Sequence, residues 1–153
     1  MSQPILEAIL EAMELQSDEM HGYLHRPTGR ALVISDEALA AAENDDRNWV
    51  SPEELEEARA ILASKDEYLE VPDRFEINEY RMMEGFAGTL EDHEQGAAFD
   101  ALRGRGAFRR FKDTMHRLGK IDAWYAYRND CYRRVAIEWC EANGISPESS
   151  TTS

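Results

Sequence analysis

The N-terminal stretch "PILEAILEAMEL" places Ile5, Leu6, Ile9, Leu10 and Met13 on one side and Glu7, Glu11 and Glu14 on the other, the period of an amphipathic helix. The pattern then changes: "GYLHRPTGRALVIS" holds two short β-forming runs around a Pro-Thr-Gly turn, which predicts a hairpin with strands near 22–26 and 30–34. Ser35 followed by "DEALAAAE" opens a short helix with acids in its first turn, where the helix dipole favours them. In "SPEELEEARAILAS", Ser51 caps, Pro52 suits the first helical position and Glu54 completes a capping box, so a helix is expected to about Ala63. A second box, Asp73 with Glu76, starts one helix over "RFEINEYRMMEGFA". "LEDHEQGAAFDAL" is a helix broken by Gly104 and Gly106, "AFRRFKDTMHRL" is stopped by Gly119, and "DAWYAYRNDCYRRVAIEWCEAN" by Gly144. The expected fold is α+β: a predominantly α-helical single domain over 1–145, with a small antiparallel β-sheet built on the N-terminal hairpin. Residues 146–153, "SPESSTTS", have no apolar side chain and are expected to be a disordered tail.

Length agrees with one domain, since 153 residues bury roughly two-thirds of the surface their unfolded chain exposes. Charge adds more. With 31 acids against 17 Lys and Arg, the net charge is -14 and the pI near 4.6, so the molecule as a whole repels nucleic acid and anionic membranes. No apolar run reaches the roughly 18 to 20 residues that span a bilayer, and the N-terminus carries glutamates where a signal peptide needs basic residues. A cytoplasmic protein is expected. Cys131 and Cys140 lie nine residues apart on one predicted helix, hence on opposite sides and about 13 Å apart along its axis, too far to pair. His21, His25, His93 and His116 show no metal-ligand spacing, so neither metal nor cofactor is predicted.

Charge is unevenly placed. Residues 36–70 hold twelve acids and three bases, a net of -9, whereas residues 103–134 hold ten bases and three acids, a net of +7. One reading is that the two regions neutralise one another. The densest basic run is "RGRGAFRRFKD", residues 103–113. On a helical wheel Phe108, Phe111, Met115 and Leu118 share one arc, so the aromatics read as core, and Arg109, Asp113 and Arg117 at four-residue steps can form a ladder of ion pairs. Arg103, Arg105 and Arg110 gather where a helix starts and its dipole already disfavours positive charge, so a negative partner is expected there. Gly104 and Gly106 let backbone N–H groups approach an anion, and Lys112 assists from the flank. The spacing is not that of a P-loop, and the Lys-Ser/Thr pair is missing.

Two charged residues interrupt apolar faces. Phe75, Met82, Met83 and Phe86 surround the direction of Glu79, and Arg128 lies among Trp124, Cys131, Tyr132 and Val135. A carboxylate there is costly unless paired, and the planar guanidinium fork suits it, so Glu79 and Arg128 are expected to meet in or near the core. The alternative makes Glu79 a general acid or base in a cleft lined by Tyr80, His116 or Tyr127. Tyr125, Tyr127, Tyr132, Trp124 and Trp139 read as helix-packing residues.

Taken in order, "LQSDE", "YLHRPTG", "VISDE", "FEINEYRMME", "RGRGAFRRFKD", "WYAYR" and "AIEWCEANGI" resemble the bacterial uncharacterised protein family 0158 nearly to Ile145. Glu79 and Tyr80 match its "EY", Arg103 to Asp113 its basic block, and Trp124, Tyr125, Arg128, Trp139 and Cys140 its C-terminal helix. His25 stands where the family commonly has an acid. The resemblance implies an intracellular bacterial single-domain protein and brings no established activity.

Three functional classes follow. The first is a non-enzymatic binding or regulatory domain that receives a phosphate-like or carboxylate group at Arg103, Gly104, Arg105, Gly106, Arg110 and Lys112, with a short or structured nucleic acid as the best-motivated polyanion. The second is an interaction or self-association module whose basic end docks on residues 36–70 of another copy or another acidic protein. The third is a small hydrolase or transferase using Glu79, its anionic substrate steered by the arginines.

Overall fold

The computed structural model describes residues 4–44 and 50–149. The fold is mostly helical α+β with one three-stranded antiparallel sheet. It divides into two compact units, one ending at Glu76 and resuming at Val135, the other Ile77–Arg134.

In the first unit, α1 (Ile5–Leu15) buries Ile5, Leu6, Ala8, Ile9, Ala12 and Met13. The hairpin pairs β1 (Met20–His25) with β2 (Arg30–Ser35) in the register His25↔Arg30 to Met20↔Ser35. Its turn needs Gly29, whose φ of 72° is left-handed and whose N–H donates to the His25 carbonyl at 2.8 Å. α2 (Asp36–Asn44) starts from Ser35, whose Oγ accepts the Ala38 N–H at 3.1 Å. α3 (Pro52–Ala63) starts from Ser51, whose Oγ accepts the Glu54 N–H at 3.2 Å. The Glu54 carboxylate accepts from the Ser35 hydroxyl, which ties the starts of α2 and α3 together.

The sequence pattern did not show β3 (Tyr68–Glu70), three residues that pair along the other edge of β1 and make it the central strand. Ile34, Ala38, Ala58 and Ile61 form a core here, packed by Tyr23, Leu32, Leu39, Ala42, Val50 and Tyr68. Gly22 of β1 is required by close approach: a Cβ there would sit 2.7 Å from Val71 Cγ2 and 3.3 Å from Ala12 Cβ. Burial, then the neighbouring Glu70 and Asp36 carboxylates, raises the Tyr23 hydroxyl above its ordinary value. Of the tail expected to be disordered, Pro147 and Ser149 supply carbonyls that accept the Leu6 and Ile5 N–H groups at 3.2 and 2.7 Å, while 150–153 lie outside the described residues.

The helix expected over "RFEINEYRMMEGFA" is two helices, α4 (Arg74–Ile77) and α5 (Glu79–Ala87). Asn78 separates them with a left-handed φ of 52°, and its side chain accepts the Arg81 N–H at 3.2 Å, so one residue ends the first helix and caps the second. The break removes Phe75 from the stripe around Glu79: Phe75 is 91% exposed.

In the second unit α5 is followed by α6 (Asp92–Ala101), α7 (Ala107–Arg117) and the first part of α8 (Ile121–Ala142). Its core centres on Trp124, which is 1% exposed, with Phe111 edge-on at 5.2 Å and Phe86 at 5.7 Å between ring centres. α7 and α8 end in left-handed glycines, Gly119 and Gly144, with the Lys120 and Ile145 N–H groups each donating 2.8 Å back to Met115 and Cys140. No helix among the described residues is long and apolar enough to cross a membrane.

Candidate functional site

The turn between α6 and α7 is shaped by two left-handed glycines, Gly104 at φ 71° and Gly106 at φ 76°. Nothing lies within 4 Å of the place where a Gly104 Cβ would sit, whereas one on Gly106 would meet Arg110 Nη1 at 3.3 Å. Gly106 is also the N-cap of α7 and offers no side chain to its first-turn N–H groups.

Arg110 folds back over this turn. Its Nε donates to the Ala101 carbonyl at 3.2 Å, Nη1 to the Arg105 carbonyl, and Nη2 to the carbonyls of Arg103 and, at 3.5 Å, Gly104. The negative partner that a cation at a helix start requires is thus the carbonyl end of α6 and of the turn itself. The guanidinium suits this because its fork reaches several acceptors at once. Arg110 is therefore occupied in holding the turn.

The other cations are placed differently. Arg103 lies 3.7 Å from Asp100 with both side chains largely in water, a contact of little energetic weight. Arg105, Arg109 and Lys112 are exposed, and among the described residues no carboxylate comes within 4.0 Å of them. The ladder expected from Arg109, Asp113 and Arg117 is absent, since these residues do not come within ion-pair distance. On a surface helix the solvated state of two long side chains competes evenly with such pairs. Phe108 also departs from the expected core arc: it is 46% exposed, while Phe111 and Met115 are fully buried.

Glu79 and Arg128 are brought together, Arg128 Nε donating to Glu79 Oε1. Arg128 Nη2 donates to the Tyr132 hydroxyl at 2.9 Å, that hydroxyl lies 3.4 Å from Glu79 Oε1, and the guanidinium carbon lies 4.1 Å from the centre of the Tyr132 ring. Less than a quarter of either charged side chain is exposed, 18% for Arg128 and 24% for Glu79. Tyr132 was expected beside Arg128 as a packing residue; what sequence reasoning missed is its hydroxyl's part in the pair, for which the signal was the four-residue step from Arg128 along one helix. The tyrosines proposed for a Glu79 cleft have other positions. Tyr80 donates to the Leu102 carbonyl at 2.9 Å, and the Tyr127 hydroxyl lies over Gly85, 2.6 Å from where a Cβ would be. His116 is exposed on α7.

Glu91, His93 and Glu94 bring one ligand atom each within 4.8 Å of one another. They occupy the start of α6, where the dipole disfavours a cation, and Glu94 Oε1 accepts the Glu91 N–H at 3.4 Å as a cap. Helix capping accounts for this group. Cys131 and Cys140 are free thiols; burial pushes both up, opposed by Arg134 at Cys131 and reinforced by Glu141 at Cys140, so neither is an activated nucleophile.

These two constellations, a Gly-Arg turn braced by its own arginine and a largely buried Arg-Tyr-Glu cluster, sit in a mostly helical α+β protein. Its sequence places it: the chain belongs to the uncharacterised protein family UPF0158, whose profile it matches over residues 3–151. It is similar to the UPF0158 protein PA5073 of Pseudomonas aeruginosa, with 27% identity over 139 residues, 89% of this chain and 81% of that protein. No solved structure gives a significant match.

Proposed function

We propose that the protein is a non-enzymatic, cytoplasmic binding domain that receives an anionic group, phosphate-like or carboxylate, at the α6–α7 turn. The observation that carries this reading is the set of cations without a partner. In a chain with nearly two acids for every base, Arg105, Arg109 and Lys112, all within eight residues, are exposed with no carboxylate within 4.0 Å among the described residues. Arg103, Arg105 and Lys112 supply exposed charge, the open space beside Gly104 gives an anion access to the turn, and Gly106, with no side chain, leaves the first-turn N–H groups of α7 uncapped. Arg110 keeps those donors in place. Glu79 is assigned a structural role, since Arg128 and Tyr132 already take up its carboxylate.

Calorimetric titration with inorganic polyphosphate and with polyglutamate at several salt concentrations tests the reading. Binding of at least one is expected, weakening steeply with salt, and Arg105→Ala with Lys112→Ala should lower both the affinity and the salt slope. Binding of neither polyanion at low salt would overturn it. If the basic end instead docks on residues 36–70 of another copy, sedimentation will show a dimer that dissociates in salt, and the same two substitutions will abolish it.

A further inference from the structure

α7 leaves one large apolar side chain in water beside the partnerless cations. An isolated exposed phenylalanine is ordinary on a protein surface. Phe108 is distinguished by what surrounds it. Arg105 precedes it by three residues, Arg109 follows it directly, and Lys112 stands one helical turn on, all exposed. Lys112, four residues on, shares the helical face of Phe108, and with Arg105 and Arg109 flanking it in sequence the segment offers a π-face and counter-charge, the two elements by which single-stranded nucleic acid is held without sequence preference.

We propose that this face of α7 binds single-stranded nucleic acid, one unpaired base stacking on Phe108 while Arg105, Arg109 and Lys112 take the neighbouring phosphates. The proposal rests on the anion-receiving reading of the turn and names its ligand. Charge favours a short single strand over a duplex: the three cations fall within eight residues, Arg105 in the turn and Arg109 and Lys112 in the first turns of α7, and a long duplex would bring more phosphates toward a chain of net charge -14. In a duplex, moreover, the base faces are covered by stacking and unavailable to Phe108. Three phosphate contacts on a single strand give an expected log–log salt slope of about -2, small for a nucleic-acid binder.

The test is fluorescence anisotropy with a short oligothymidylate, an abasic oligomer of the same backbone and length, a duplex of that length, and polyglutamate. The wild-type protein should bind oligothymidylate roughly tenfold or more tightly than the abasic oligomer, the usual worth of one stacked base. Phe108→Ala should bring oligothymidylate down to the abasic level and leave abasic affinity unchanged. Phe108→Trp should retain base-dependent binding. Because Phe108 is half-exposed, these variants are expected to fold, with circular dichroism as the check. Arg105→Ala with Lys112→Ala should weaken both oligomers together. Equal binding of oligothymidylate and abasic oligomer, unaffected by Phe108→Ala, overturns the single-strand proposal while leaving the anion reading intact. So does duplex or polyglutamate bound as tightly as oligothymidylate. Binding of none of the four overturns both readings.

Discussion

Two arginines show how differently one residue type is used within the second unit, Ile77–Arg134. Arg128 lies largely out of water and is held on three sides, by the Glu79 carboxylate, the Tyr132 hydroxyl and the Tyr132 ring. Arg105 is exposed and has no carboxylate within 4.0 Å among the described residues. The first arrangement is costly to break from either side, because the survivor is left as a part-buried charge without its main partner. Glu79→Gln and Arg128→Met are each expected to lower unfolding stability by about 1–3 kcal/mol in urea denaturation. The double variant should lose clearly less than the sum. Strict additivity would show that the two side chains are not coupled, and would remove the structural role given to Glu79.

The elements differ in how much of each was legible in the sequence. Capping serine and terminal glycine carry their own signal: Ser51 opens α3, and Gly104, Gly106, Gly119 and Gly144 all adopt the left-handed conformation that ends or bounds a helix. The α4–α5 break was hidden because the apolar period runs through Asn78 undisturbed, and only its left-handed backbone shows the interruption. β3 was hidden because a three-residue strand has almost no period of its own and exists through pairing with β1. For the candidate site, the wheel gave Phe108 a direction but not whether a neighbour covers it. The acceptors of Arg110 are main-chain carbonyls, which every residue possesses and no sequence pattern marks. Arg110 is the brace of the α6–α7 connection, so Arg110→Ala should speed amide hydrogen exchange through 103–109 and cost about 1–3 kcal/mol of stability. Arg110→Lys should not restore protection, since one ammonium cannot reach carbonyls on both sides of the turn. Unchanged exchange in both variants would mean that the glycines alone set the turn.

At the scale of the whole molecule, charge is segregated. The acidic residues 36–70 fall in the first unit and the basic run 103–134 in the second, within a chain of net charge -14. Such a molecule repels polyanions at long range, so any that it receives would be held where local positive charge outweighs the total, over a short footprint and with strong salt dependence. We propose this local excess as the receiving surface. A ¹H–¹⁵N NMR titration with inorganic phosphate at low ionic strength tests it most directly. The amide signals of Gly104 to Arg109 are expected to shift together and to saturate, and Arg105→Ala with Lys112→Ala should abolish the shifts. Saturable shifts elsewhere, or none at these six residues, would rule out the α6–α7 turn as the anion site.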